Sequence, residues 1–143
     1  HLSIRRQRQM CIRDRYLAGL FDGEGSVYFK KTRQKKHQRP GKPTHNVMVI
    51  RMEIAMTDKS VLEWVWETTG VGSFGPRKVQ EGYKPQWRWR AAHRDALKVC
   101  KELWPFAQTK LHKIEQIIDY YEPQTFEGNV VSLSEYKNYM GLE

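Results

Sequence analysis

The sequence predicts an α+β fold in which two antiparallel hairpins make one four-stranded sheet and helices cover one face of it. Three observations carry that expectation. Apolar and polar residues alternate through residues 46–57, as a strand with one buried face requires. Each hairpin-like pair of segments is followed by a helix-length stretch with an apolar stripe at helical spacing. Finally, 143 residues that are 39% hydrophobic and 12% aromatic suffice for one core and leave no room for a second sizeable domain.

Residues 1–15 contain five arginines with no clean period, and no apolar stretch follows them, so they are not a signal peptide. They read as a non-native, adapter-like or disordered segment. From Tyr16 the chain turns helix-compatible and then breaks at alternating acids and glycines near Gly25, where a helix ends. Residues 26–32 form the first strand, with Val27 and Phe29 on its apolar side. Residues 33–46 hold two prolines and a glycine among cations and read as a long hairpin loop. In the second strand Met48, Ile50, Met52, Ile54 and Met56 point to the core. Thr57 or Asp58 caps a helix over 59–69 with the stripe Val61, Leu62, Val65 and Trp66, and Gly70 stops it.

A second hairpin follows, with strands over 71–79 and 83–92. Trp87 and Trp89 take one face, and Gln86, Arg88 and Arg90 the other. One tryptophan of each pair, 64/66 and 87/89, is expected to be buried. Helices over 95–104, ended by Pro105, and over 110–121, with Leu111, Ile114, Ile117 and Ile118 as its stripe, complete the domain at residues 16–121. Residues 122–143 read as a tail or short helix.

Lys and Arg number 25 against 16 Asp and Glu, a net charge of +9 that favours polyanionic partners. Without residues 1–15 the remainder is still basic, at +5. Several classes fall away. No phosphate-binding GxxxxGK[ST] loop, no HExxH and no Cys/His zinc set is present. Cys11 and Cys100 are too few for a disulfide framework and suit a reducing, intracellular setting. No apolar run approaches a membrane span, so no membrane partner is expected. The polar face of the two hairpins brings together Lys30, Thr32, Gln34, Arg51, Glu53, Arg77, Lys78, Gln86, Arg88 and Arg90, a surface suited to a DNA major groove where Arg and Gln read base edges. The first loop adds Lys35 and Lys36. From Lys30 to Lys42 there are seven cations and no acid, a repulsion that phosphate contact relieves.

The run Leu17-Ala18-Gly19-Leu20-Phe21-Asp22-Gly23-Glu24-Gly25 resembles the signature of the LAGLIDADG homing endonucleases. It matches at the Leu, Ala, Gly, Leu, Asp and final Gly positions, with Glu in place of the second Asp. The family's order of elements is also similar to the order read above. The resemblance implies an αββαββα fold whose saddle-shaped sheet binds double-stranded DNA. One motif per chain implies a homodimer, with Leu17, Ala18, Gly19, Leu20 and Gly23 at the contact. The Gly19/Gly23 spacing agrees, since small residues four apart let two helices approach closely.

By the same resemblance, Glu24 is the metal-ligating and catalytic carboxylate, Gly23 belongs to the metal site, and Asp22 is a further catalytic-site residue, the helix-end acid that shapes the turn. Oxygen donors without paired His or Cys favour Mg2+, with Mn2+ as a substitute, over zinc. The segment Pro105-Phe106-Ala107-Gln108-Thr109-Lys110 resembles the family's turn before a helix with a catalytic-pocket lysine, which makes Lys110 the candidate. Met56 falls where relatives often carry a polar residue such as Gln. Asp58 reads as a helix cap rather than a ligand. The implied activity is that of a Mg-dependent endodeoxyribonuclease from a mobile element, cutting both strands of a long near-palindromic site. An RNA-splicing maturase acting on intron RNA and a non-cleaving DNA-binding regulator are the alternatives.

Overall fold

The computed structural model describes residues 2–34 and 45–141. The elements run α1 (Leu2–Glu24), β1 (Gly25–Gln34), β2 (His45–Met56), α2 (Lys59–Thr69), β3 (Ser73–Arg77), β4 (Gln86–Ala92), α3 (Arg94–Leu103) and α4 (Leu111–Tyr121). The chain then continues through β5 (Gln124–Phe126), β6 (Asn129–Val131) and α5 (Leu133–Tyr139). The first four strands form one antiparallel sheet in the order β1-β2-β4-β3. This is the α+β architecture the alternation predicts.

Register explains why the sheet has one apolar face. Ile50, Met52 and Ile54 pair with Phe29, Val27 and Gly25 on one side. On the other side Met52 and Ile54 pair with Ala91 and Trp89. Ile50, Met52, Ile54, Trp89 and Ala91 are all buried. Leu17, Ala18 and Phe21 of α1, Leu62 and Val65 of α2, and buried residues of α3 and α4 close over them in one core. Removing this apolar area from water, at roughly 25 cal/mol per Å², is what holds sheet and helices together. Cys100 lies in this core, where burial pushes its thiol up to about 12 and leaves it protonated and unreactive.

Local chemistry sets the ends of the elements. Asp58, not Thr57, caps α2, its carboxylate accepting from the Val61 amide at 3.3 Å and from the Ser60 hydroxyl at 2.7 Å. The Ser60 hydroxyl and then the Val61 amide hold the Asp58 carboxyl below its ordinary value. Gly70 ends the helix at φ 67° and returns its amide to the Trp66 carbonyl. The second hairpin is shorter than its composition suggests. Gly72, at φ 86°, sits so close to β4 that a Cβ there would come within 2.6 Å of the Arg90 carbonyl oxygen, so β3 begins only at Ser73.

Both Trp64 and Trp66 escape full burial, contrary to the expectation for that pair. The covered face of α2 is taken by Leu62, Val65 and Thr69. Trp64 instead meets Tyr16 edge-on at 5.1 Å, and Trp66, 43% exposed, stacks on Phe74 and donates to the Gly72 carbonyl at 3.2 Å. In the other pair Trp89 is fully buried and Trp87 half-buried.

Residues 124–139 form a small hairpin and a helix rather than a helix alone. The Asp119 carboxylate accepts the Leu133 amide at 2.9 Å, and the largely buried Glu115 takes Lys137 at 2.5 Å and the Trp104 indole at 3.3 Å. These bonds fasten α5 against α4. The motif helix also reaches further upstream than Tyr16, since α1 begins at Leu2.

Candidate functional site

Strand pairing decides which predicted residues share the outer face. Lys30 lies opposite Val49, Thr32 opposite Val47, and Tyr28 opposite Arg51. Across the next ladder Glu53 lies opposite Arg90 and Ala55 opposite Arg88, and Arg77 faces Gln86 at the far edge. Lys30, Thr32, Arg51, Glu53, Arg77, Gln86, Arg88 and Arg90 therefore occupy the face opposite the core. Lys78 follows β3 as an exposed residue off the strand. The Gln34 backbone closes β1 at the same parity as Lys30, while its side chain, with Lys35 and Lys36, lies outside the described residues.

This face is organised rather than a row of free cations. The Glu53 carboxylate accepts from Arg90 Nε at 3.1 Å and Arg90 Nη2 at 3.0 Å, with Arg51 Nε 3.7 Å away. The Arg51 guanidinium lies over the Tyr28 ring at 4.4 Å. At the edge Arg77 Nη1 donates to Gln86 Oε1 at 3.2 Å. Tyr28 is missing from the residues the sequence singled out, although the alternation of Val27 and Phe29 already turns it to the polar side.

The motif helix is seated by its own small and apolar residues. Leu17, Ala18 and Phe21 are 0–1% exposed and packed into the chain's own core. This corrects the assignment of Leu17 and Ala18 to a helix–helix contact, because both are enclosed on the side of α1 that faces the sheet. The opposite side presents Ile12, Tyr16, Gly19 and Gly23, with Leu20 half-buried at the border. A methyl group at Gly19 or Gly23 would meet nothing within 4 Å, so that side is open among the described residues.

At the end of α1 the acids separate by role. Asp22 Oδ2 accepts the Gln108 amide at 2.9 Å and Oδ1 the Lys110 amide at 3.1 Å. The Thr109 hydroxyl lies 3.1 Å from Oδ1 and 3.0 Å from the Asp22 carbonyl oxygen. Asp22 thus ties the end of α1 to the turn at residues 108–110, distant in sequence but adjacent in the fold. Lys110, the residue preceding α4, is thereby held beside the motif. Glu24 is exposed and is the last residue of α1. Gly25, the first of β1, is buried where a Cβ would fall 2.7 Å from the Phe21 carbonyl oxygen, so helix passes to strand without a linker only because this residue is glycine. Met56 pairs with Trp87 on the core side of the sheet.

Replacing Asp22 by Ala leaves the Gln108 and Lys110 amides without their acceptor. The expected cost is roughly 1–3 kcal/mol, read as a lowered Tm in thermal unfolding, with Asp22→Asn losing less because one amide oxygen remains.

The donor set suits a hard cation. Among the described residues no group of three or more His, Cys, Asp or Glu converges. Asp22 is engaged by main-chain donors, which leaves Glu24 as the free carboxylate of the motif. Mg2+ is commonly held by one or two carboxylates together with phosphate oxygens and water, and a single exposed carboxylate such as Glu24 fits that manner of holding the cation.

No family model matches the sequence, and no curated protein does. Solved structures do share the fold. The homing endonuclease I-CvuI, solved with a DNA target, aligns at a TM-score of 0.62 and 15% identity over 78% of this chain and 66% of that one. The archaeal intron-encoded homing endonuclease I-Vdi141I, complexed with DNA, aligns at 0.59 and 17% identity over 76% and 65%. The group I intron-encoded homing endonuclease I-CeuI, also complexed with DNA, aligns at 0.56 and 15% identity over 89% and 57%. The chain thus spans less than two thirds of the length of each. Its fold is the homing-endonuclease fold that the motif implies.

Proposed function

We propose that the chain is one subunit of a homodimeric, site-specific DNA endonuclease that cuts both strands of a long near-palindromic site. The observation that carries this reading is the end of α1. Because the helix passes directly into β1, the exposed Glu24 emerges at the start of a sheet whose outer face carries Arg51, Arg88, Arg90 and Gln86, with Lys110 tied alongside through Asp22.

Net charge of +9 draws the duplex in. Lys30 and Lys78 meet phosphates, which fix position, while Arg88, Arg90, Arg51 and Gln86 face base edges, which carry sequence. The open Gly19/Gly23 side of α1 lets a second copy approach closely and sets two Glu24 side chains next to each other. Each Glu24, with Gly23, would hold Mg2+, or Mn2+ in its place. When bound, the cation supplies an activated water and neutralises charge on the scissile phosphate. Asp22 holds the 108–110 turn in place, and the Lys110 ammonium stabilises charge that develops on the phosphoryl oxygens. No described helix is long and apolar enough to cross a membrane, and DNA as substrate places the activity inside the cell.

Incubating the purified protein with a randomised-duplex library and Mg2+ tests the reading. Double-strand cuts at one recovered site support it. Duplex enrichment without cutting would replace it with a non-cleaving regulator. Retention of structured RNA, with no duplex enriched, would replace it with a maturase acting on intron RNA.

A further inference from the structure

Resting on the DNA-binding reading above, we propose that Glu53 is a positioning residue that fixes two arginines as guanine readers, and that it does not itself meet a base. Four residues form a continuous row across three strands. Tyr28 on β1 lies opposite Arg51 on β2, and Glu53, two residues along β2, lies opposite Arg90 on β4. All four point to the same face.

The bonding inside the row is specific. One oxygen, Glu53 Oε2, takes both Arg90 Nε at 3.1 Å and Arg90 Nη2 at 3.0 Å. That engages one edge of the guanidinium and turns the other, formed by Nη1 and the second hydrogen of Nη2, away from the carboxylate. A guanidinium edge of this kind matches the O6 and N7 acceptors of guanine. Arg51 is held differently. Tyr28 supports its plane at 4.4 Å, and its buried Nε, which has no hydrogen-bond partner among the described residues, lies 3.7 Å from the same Oε2. Its outer nitrogens are left for a second base.

The side chain of Glu53 is only 14% exposed, against 30% for Arg51 and 33% for Arg90. The acid is sunk below the two cations, as an orienting group would be. A carboxylate this close to a polyanion repels it, so on affinity alone the position is unfavourable. What it confers is geometry, because Arg90 is held by two bonds and Arg51 is confined between the Tyr28 ring and the same carboxylate, where free cations would track phosphates.

The test compares base preference with total binding. Wild-type protein, Glu53→Gln, Arg90→Lys and Tyr28→Leu are each used to select from a randomised-duplex library in Ca2+, and overall affinity for an unrelated duplex is measured at one salt concentration. Wild type is expected to enrich guanine at two positions of the half-site. Glu53→Gln should lose that preference at both, by about tenfold or more, and bind the unrelated duplex more tightly. Arg90→Lys should lose one position while keeping its charge, and Tyr28→Leu the other. Unaltered guanine preference in Glu53→Gln would overturn the assignment while leaving the DNA-binding reading standing. Uniform loss of binding across all bases in that variant would also overturn it, by reducing Glu53 to a structural residue. Failure of wild type to enrich any duplex would overturn both.

Discussion

Glu24→Gln is expected to slow cleavage steeply while leaving duplex binding intact. Gln keeps the length and shape of the side chain but removes the one free carboxylate of the motif, since Asp22 is occupied by the amides of Gln108 and Lys110. Glu24 is exposed at the end of α1 and supports no part of the core. Its replacement therefore acts on chemistry and not on folding. Losing a preorganised charge-handling group of this kind slows a reaction by about 10²–10³-fold. In a dimer both active sites lose it together. Single-turnover cleavage in Mg2+ measures the rate, and duplex binding in Ca2+ gives the control. A variant that still cuts at the wild-type rate would remove Glu24 from the cleavage site.

Trp89→Ala should be the most damaging single change to the fold. Trp89 is fully buried, meets Phe21 of the motif helix edge-on at 5.6 Å, and donates its indole N–H to the Val71 carbonyl at 3.1 Å. Truncation leaves a cavity between sheet and α1 and removes one of two hydrogen bonds to the Val71 carbonyl, which keeps that of the Thr69 hydroxyl at 3.3 Å, at a cost of roughly 3–5 kcal/mol. For a domain of this size that is a fall in Tm of about 10–20 °C. Trp89→Phe, which refills most of the volume and loses only the hydrogen bond, should fall by much less. Trp89 lies between Arg88 and Arg90 on β4, so duplex affinity should decline together with stability. A Tm unchanged in Trp89→Ala would show that the core does not depend on this contact.

Where the sequence was readable, it was readable because period and burial agree. Met48 to Met56 alternate against a face that is buried, and α2 carries a capping Asp58 and a terminating Gly70, so both elements could be placed from residues alone. The same periodicity turned Arg51, Arg88 and Arg90 to the outer face. What could not be read depends on partners distant in sequence. Nothing local says that Asp22 accepts the amides of residues 108–110, or that Glu53 finds Arg90 across a ladder. The family resemblance assigns the whole motif, Leu17 and Ala18 included, to a partner helix, yet successive residues turn about 100° around the helix and so fall on two different sides of it. Only the position of the sheet decides which side is inner. The hairpin β5–β6 has strands of three residues each, too short for a period, and its turn uses Glu127 at φ 52° before Gly128 instead of a more familiar Asn-Gly pair.

The tie between Asp22 and the 108–110 turn joins residues 86 to 88 positions apart. Such a long closure is slow to form and cannot begin until both ends exist. During synthesis the motif acids therefore leave the ribosome long before the lysine that completes their surroundings. A chain interrupted anywhere before residue 108 carries Glu24 with neither the turn nor Lys110. On the proposed reading, the surroundings of Glu24 are therefore complete only in the finished fold, once the turn before α4 has closed on the motif helix.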